Sequence, residues 1–247
     1  MSGHSKWASI KHKKGANDAK RGKIFTMHAK MIAIAAKAGG DPEMNPTLRS
    51  AIDRAKADNV PNNNIDRAVK KGSGSDKDAT QYLEITYEAM GPGGTAFMID
   101  VITDNKNRSN TNVKTILTKT GGTPGSAAWK FDKMAFFLVD LEGKDHDEAE
   151  LALIDCGADD MEDAGDGKFG LYSSLSSFST VKKSIQAAGY KVEKDDVIWK
   201  SKSATPIDDA TVAAKIIRLM DKLEEDDDVN NVYTDADISE SVLSELG

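Results

Sequence analysis

Apolar residues in the first 72 positions recur every three or four residues, the spacing of one face of an α-helix. Residues 16–38 form the longest such segment, and Gly39-Gly40 marks its end. Asn45-Pro46 is typical of an N-cap followed by proline at the first helical position, which starts a second helix. A third short helix ends at Gly72. The pattern therefore predicts an all-α N-terminal domain.

Beyond residue 80 the apolar positions alternate with polar ones, as they do in β-strands. Residues 82–87 and the apolar run 95–102 flank Gly91-Pro92-Gly93-Gly94, which predicts a hairpin with a glycine-rich turn. The other predicted elements are helices at 108–119, 147–156, 178–188 and 207–225, and strands at 127–131, 135–140, 158–163, 168–174, 190–199 and 229–234.

The order of these elements predicts how the domains connect. Residues 83–131 supply β-β-α-β, one helix and one strand short of a closed two-layer domain. Helix 207–225 and the strand after it supply the missing pair, so the module between them is predicted to be inserted. The predicted fold class is α+β, and its three domains are an all-α domain (1–78), an α+β domain in two pieces (79–131 and 205–247) and an inserted α+β domain (132–204).

Composition narrows the class of protein without identifying it. The 247 residues are 39% hydrophobic and 30% charged, which is typical of a folded globular chain. No apolar run approaches the ~20 residues of a membrane span, so no membrane partner is expected. The single cysteine, Cys156, fits a reducing compartment, and we expect a cytoplasmic protein.

Charge is distributed unevenly along the chain. Residues 1–30 contain eight Lys or Arg and one acid, Asp18. Residues 1–80 carry a net charge of +8, with 16 bases and 8 acids, whereas residues 81–247 carry −15, with 17 bases and 32 acids. Such asymmetry predicts that the basic end binds a polyanion.

The predicted binding site is this basic N-terminal region. Lysine and arginine side chains there are expected to neutralise phosphates, while His4 and Trp7 add stacking or shape contacts, with Phe25 as a further stacking candidate. The predicted phosphate contacts are Lys6, Lys11, Lys13, Lys14, Lys20, Arg21 and Lys23. The alternative is a solvated charged helix face, with Trp7 packed as a domain anchor.

Other motifs give little sign of chemistry. The histidines lack the spacing of a metal site, and Cys156 lies on an apolar helix that favours a packing role. Residues 91–94 lack the spacing of a phosphate-binding loop. Residues 104–109 either contact an anion at a helix start or simply cap it. The acidic runs 159–163 and 224–228 are expected to be solvated. No catalytic residue, cofactor, metal or small-molecule substrate is predicted.

Short motifs spread along nearly the whole chain point to a family. They are Gly3-His4-Ser5-Lys6-Trp7, Ile10-Lys11, Lys13-Lys14, Ala38-Gly39-Gly40-Asp41-Pro42, Asn45-Pro46-x-Leu48-Arg49, Ala55-Lys56, Pro61, Ile65, Arg67-Ala68-x-Lys70-Lys71-Gly72, Gly91-Pro92-Gly93-Gly94, Thr103-Asp104-Asn105-x-Asn107-Arg108 and Glu225-Asp226-Asp227-Asp228-Val229. In these motifs the chain resembles the YebC/PmpR family. The resemblance implies a helical N-terminal domain and two ferredoxin-like α+β domains, one inserted in the other, without enzymatic activity or cofactor.

The chain departs from the family pattern at three places. Met27-His28 replace a usual Lys-Leu pair, Ala89-Met90 replace a usual Gly-Tyr pair, and the loop at 121–126 is shortened. If that loop touches a partner in the family, the contact is altered here.

The resemblance leaves the target open. Bacterial members are commonly labelled transcriptional regulators, and some bind promoter DNA, whereas the mitochondrial relative is a translational activator and other members are linked to the ribosome. No helix of the N-terminal domain shows base-reading residues at a clear spacing, which favours structured RNA. We therefore expect a nucleic-acid-binding regulator that acts on ribosomal RNA, with promoter DNA as the alternative and a protein-interaction adaptor as a third hypothesis.

Overall fold

Three helices form the N-terminal domain in the computed structural model, which describes residues 18–74 and 81–246, with side chains from Gly22 onward. They are α1 (Asp18–Ala35, extended by a 3₁₀ turn over Ala36–Ala38), α2 (Pro46–Ala57) and α3 (Asn62–Gly72). Asn45 caps α2, because its side chain accepts the Leu48 N–H at 3.1 Å and donates to the carbonyls of Ala35 and Gly39, each at 2.8 Å. The predicted N-cap is confirmed, and it also ties α2 to the end of α1.

The rest of the described chain alternates strands and helices. In chain order the elements are β1 (Leu83–Met90), β2 (Ala96–Thr103), α4 (Lys106–Thr120), β3 (Thr123–Pro124), β4 (Phe131–Asp140), α5 (His146–Ile154), β5 (Asp160–Gly165), β6 (Lys168–Ser173), α6 (Phe178–Ala187), β7 (Lys191–Ser201), β8 (Thr205–Ile207), α7 (Ala210–Glu225), β9 (Val229–Thr234), β10 (Ala236–Ile238) and α8 (Glu240–Leu246).

The strands make two four-stranded antiparallel sheets, with orders β3-β1-β2-β9 and β5-β6-β4-β7. The chain leaves the first sheet after β3, builds the whole second sheet, and returns through α7 to β9. The second sheet has the β-α-β-β-α-β order of a ferredoxin-like unit. The predicted fold class, a helical domain with two α+β domains of which one is inserted, is confirmed, while the residue boundaries between the domains stay predictions.

The two sheets face each other through the sides that their helices leave open. Alternate residues of a strand point to opposite faces, and Phe97, Ile99 and Val101 of β2 join the core under α4 and α7. Ala96 and Met98 point the other way. They join a second apolar layer with residues of β4, β6, β7 and β9, namely Phe131, Tyr172, Ile198 and Tyr233. The α+β domains therefore pack sheet to sheet, with helices on the outside.

Asp235 fastens both chain crossings between these domains. It is 1% exposed, and its Oδ2 accepts from Lys130 Nζ at 2.6 Å and from Thr205 Oγ1 at 2.8 Å. Its Oδ1 accepts the Ala96 N–H at 2.7 Å. Lys130 lies where the chain leaves for the inserted domain, and Thr205 lies where it returns. One buried carboxylate thus holds both connections against the first sheet.

The predicted hairpin is confirmed, with β1 and β2 in antiparallel register around the glycine-rich turn. A 3₁₀ turn spans Pro92–Gly94, and Gly93 and Gly94 have φ of 72° and 74°, where glycine is favoured. A Cβ on Gly91 would lie 2.3 Å from the Phe97 ring. Backbone geometry and close packing therefore account for these glycines.

The prediction fails in short elements. The predicted strand at 127–131 is wrong, because Ala128–Lys130 forms a 3₁₀ turn and Phe131 already belongs to β4. The edge strand of the first sheet is instead the two-residue β3. The chain also continues past β9, since β10 pairs in parallel with β8 and α8 follows. Elements of two or three residues are too short to show a period.

Gly72 gives a test of the helical domain. A Cβ there would lie 2.0 Å from the Ala33 carbonyl oxygen, so Gly72→Ala forces α3 away from α1 and is expected to destabilise the domain by about 1–3 kcal/mol. Gly22→Ala is the matched control, because a Cβ on Gly22 meets nothing within 4 Å and alanine favours the helix by about 1 kcal/mol. Urea unfolding followed by far-UV circular dichroism measures both; equal midpoints for the two variants would contradict this packing.

Candidate nucleic-acid interface

Most of the predicted site lies outside the described residues. These predicted contacts are His4, Lys6, Trp7, Lys11, Lys13 and Lys14. Lys20 and Arg21 lie on the first turn of α1, and their side chains are also outside the description. The phosphate-binding role of all eight residues stays a prediction. Lys23 is the member of the predicted set whose side chain the structure places.

Lys23 and Lys30 reach from α1 to the segment that ends α7. Lys23 Nζ donates to the carbonyl oxygens of Glu224 and Asp226, the latter at 2.6 Å. Lys30, seven residues further along α1, donates to the Asp227 carbonyl at 2.6 Å and to Asp228 Oδ1 at 2.9 Å. Carbonyls at a helix C-terminus carry negative partial charge and attract ammonium groups. Lys23 therefore binds backbone carbonyls of its own chain, and it has to leave them in order to bind a phosphate.

Asp228 lies at the centre of these contacts between α1 and residues 224–228, which we call the junction. Its side chain is buried and accepts from Arg108 Nε at 3.1 Å and Nη2 at 2.7 Å, in addition to Lys30. Ser109 Oγ donates at 2.8 Å and Thr103 Oγ1 at 3.2 Å. Burial alone raises the pKa of this carboxyl, but the hydrogen bonds from Lys30, Arg108 and Ser109 outweigh it and hold the pKa at about 2. A charged Asp228 thus joins α1 to the start of α4.

Two further contacts fix the helical domain. Arg54 of α2 pairs with Asp195 of β7 at 3.3 Å, and Lys182 of α6 joins the same carboxylate at 3.2 Å. The Lys71 ammonium lies 3.9 Å from the centre of the Tyr82 ring, within the range of a cation–π interaction. The helical domain therefore touches both α+β domains.

These contacts correct two interpretations of the sequence, for the acidic run 224–228 and for Phe25, and select the capping alternative for residues 104–109. The acidic run 224–228 is not simply solvated, because it binds two lysines of α1 and buries Asp228. Residues 104–109 act as a cap, since Asn105 accepts the Arg108 N–H at 3.1 Å, and Arg108 binds the protein's own carboxylates. Phe25 is half-buried against the helical core and does not offer an open stacking face.

Cys156 has the packing role that its surroundings indicated. It is buried in the core of the inserted domain, and its Sγ lies 3.4 Å from the Ala152 carbonyl oxygen. Burial, followed by the charge of Asp155, raises the pKa of the thiol, which disfavours the nucleophilic thiolate.

One group of potential metal ligands stands at the start of α5. His146, Asp147 and Glu150 place a ligand atom each within 4.8 Å of one another, and all three are exposed. An exposed acidic group beside a capped helix start is ordinary surface chemistry, and Asp145 already caps this helix.

The exposed cations of α2 and α3 were missing from the predicted set. Within the described ranges, Lys56, Arg67 and Lys70 form no ion pair, and their side chains face solvent. They lie in the same domain as the predicted arm, so the free positive charge of the domain extends beyond the first thirty residues. The family motifs Ala55-Lys56 and Arg67-Ala68-x-Lys70-Lys71 already held this signal.

The fold and this junction define a three-domain α+β protein whose basic helical domain is fastened to an acidic remainder. Residues 5–75 match the model of the TACO1/YebC protein N-terminal domain, and residues 82–236 match that of the TACO1/YebC second and third domain. The chain belongs to the TACO1/YebC family. None of its described helices is both long and apolar enough to span a bilayer.

Proteins similar to this chain match it over their full length. A probable transcriptional regulatory protein of Acidothermus cellulolyticus is 43% identical over 250 residues, and one of a Geobacter species is 45% identical over 250 residues, with 100% of each chain covered in both cases. The crystal structure of a conserved hypothetical protein from Aquifex aeolicus is similar with a TM-score of 0.86 and 37% identity, covering 95% of this chain and 97% of that one.

Removing the charge of Asp228 should loosen the junction. Asp228→Asn leaves Lys30 buried without its counterion, and breaking a buried pair typically costs about 3–5 kcal/mol. We expect faster hydrogen exchange in α1 and at the start of α4. Asp227→Asn is the control, because Asp227 uses its backbone carbonyl and its side chain is exposed. Similar exchange in the two variants would show that the carboxylate does not hold the domains together.

Acid should have the same effect on the wild-type protein. The pKa of Asp228 falls from 3.8 to about 2, so its contribution is complete above pH 4 and is lost as pH falls through about 2. The shift corresponds to about 2 kcal/mol. Hydrogen exchange of α1 measured along this acid series should accelerate in wild type. In Asp228→Asn the exchange of α1 should already be fast at neutral pH. If the variant instead shows the same pH profile of exchange as wild type, Asp228 is not the titrating group.

Proposed function

We propose that this protein is a non-enzymatic regulator of gene expression that acts in translation, binding ribosomal RNA through its basic N-terminal domain. The proposal rests mainly on the separation of charge along the chain, with a net charge of +8 over residues 1–80 and −15 over residues 81–247. A polyanion is attracted to one end of such a protein and repelled from the other, which orients binding. The relatives' names support a regulator.

The contacts around Asp228 support this separation of a basic, RNA-binding domain from an acidic remainder. Lys23 and Lys30 satisfy the carbonyls and the carboxylate between residues 224 and 228, so the acidic segment is held against one face of α1. Lys56, Arg67 and Lys70 remain open to solvent on the other helices. Phosphates then meet the free cations of the domain, together with the predicted arm of Lys6, Lys11, Lys13 and Lys14.

Transcriptional regulation through promoter DNA is the second candidate. The names of the relatives favour it, and α3 opens with Asn62 and Asn63, whose side chains are exposed. Asparagine is the residue type that reads adenine in the major groove, and recognition helices use their N-terminal residues. Against it, the exposed side chains that follow on α3 are mainly Asp66, Arg67 and Lys70, which do not extend an amide series.

Replacing Lys11, Lys13 and Lys14 by alanine tests the function. At near-physiological salt the wild-type protein should sediment with ribosomes, and the triple variant should remain in the supernatant. The slope of log K against log salt should fall by about 2–3, because each lost phosphate contact removes about 0.7–0.9. A matched triple variant at Lys183, Lys191 and Lys194, exposed lysines of the inserted domain, should sediment like wild type.

The outcomes separate the candidates. Wild-type protein that stays at the top of the gradient yet shifts promoter DNA would replace translation with transcription. Sedimentation that survives nuclease digestion of the RNA would favour a protein-interaction adaptor instead. Equal loss in the two triple variants would show an unspecific charge effect and remove the arm from the proposal.

A further inference from the structure

We propose that the outer faces of α4 and α7 form a second RNA-binding surface, which contacts the phosphate backbone of the same RNA as the N-terminal domain. This inference rests on the proposed function and extends it to a part of the chain whose overall charge is negative. Nothing in the net charge of residues 81–247, which is −15, predicts it.

Helix α4 is basic throughout. Its fifteen residues include Lys106, Arg108, Lys114 and Lys119 and no acid. Arg108 is directed to Asp228, but the three lysines are exposed and have no ion pair within the described part of the chain. The exposed side chains between them are uncharged hydrogen-bonding groups. These are Asn107, Thr111, Thr115 and Thr118. A phosphate therefore meets no acidic side chain of α4 itself, and the Asp226 carboxylate lies against Asn112 near the middle of the helix.

Helix α7 continues the surface. Lys215, Arg218 and Lys222 recur at intervals of three and four residues, so they form one exposed stripe. Lys222 pairs with Glu225 at 2.6 Å, and Asp221 adds a second acid toward the same end. The stripe therefore carries three cations, with Asp209 near Lys215 at the start of the helix and Glu225 paired with Lys222 at its end.

The two helices run side by side in opposite directions. Asn112, near the middle of α4, donates to Asp226, just beyond the C-terminus of α7, at 2.9 Å. Near the C-terminus of α4, a Cβ on Gly121 would lie 3.8 Å from Pro92, and one on Gly93 would lie 2.8 Å from Val212. The exposed lysines of α4 and the stripe of α7 therefore both lie on the helical side of the first α+β domain.

The width of this face favours RNA. Packed helices lie about 8–10 Å apart, so two of them with their side chains are about 20 Å wide. The major groove of B-DNA is about 12 Å wide and admits one helix. The minor groove of A-form RNA is shallow, so a broad face can lie across it and contact backbone and 2′-hydroxyl groups without entering a groove, and lysine, threonine and asparagine are suitable for these contacts.

The surface also adjoins the N-terminal domain. Arg108 at the start of α4 and Lys30 of α1 bind the same carboxylate, that of Asp228. Lys20 and Arg21, which belong to the predicted arm, precede Lys30 on α1. A duplex bound on α4 therefore lies beside α1, with Asp228 neutralised between the two helices.

The test replaces Lys106, Lys114 and Lys119 by alanine and measures affinity for a fluorescent RNA hairpin duplex and a DNA duplex of equal length over a salt series. We expect RNA affinity about tenfold weaker than wild type, with the salt slope reduced by about 2. The Lys183/Lys191/Lys194 triple variant carries the same change in net charge and should bind like wild type. Unchanged circular dichroism confirms that the variants are folded.

Each other outcome overturns a distinct statement. If the α4 variant binds like the matched control while the Lys11/Lys13/Lys14 variant loses binding, the second surface is wrong and the proposed function stands. If wild type binds neither the RNA duplex nor ribosomes, the proposed function fails and this inference with it. An equal loss on DNA and RNA would overturn the assignment of the surface to RNA.

Discussion

The buried carboxylate of Asp228 is the interaction on which the arrangement of domains depends. Burying a charge is costly, and it is tolerated here because Lys30, Arg108, Ser109 and Thr103 surround it. Those donors belong to α1, β2 and α4, so moving α1 or α4 away separates a charged pair, and moving β2 away breaks a hydrogen bond. The position of α1 against the first α+β domain therefore depends strongly on one side chain.

Much of the fold could be predicted because its long elements obey simple periods. The three N-terminal helices, the Asn45 cap, the glycine-rich hairpin and the insertion are visible in apolar spacing and punctuation. The short strands β3, β8 and β10 were missed, since pairing between distant segments forms them. The packing of the two sheets against each other could not be predicted either. Apolar residues such as Met98 and Tyr233 indicate that both sides of their strands are buried, but not which element covers the second side.

The candidate site was predictable in sign but not in detail. Counting charges locates the basic end, yet it cannot distinguish a lysine that faces solvent from one that serves the fold. Lys23 and Lys30 belong to the second kind, and their partners lie about two hundred residues away in sequence. The acidic run 224–228 looks like a solvated surface for the same reason. The free cations of α4 lie within a segment whose net charge conceals them.

The double attachment at Asp235 has a mechanical consequence. A domain inserted through two chain crossings swings when the crossings are loose, but here Lys130 and Thr205 are bound to one buried carboxylate. A push on the inserted domain is therefore not absorbed at a hinge. It is transmitted through the sheet-to-sheet interface to the first α+β domain and, through Asp195 and Arg54, to α2. The two α+β domains therefore move together, and the basic helical domain, which is attached to both, moves with them.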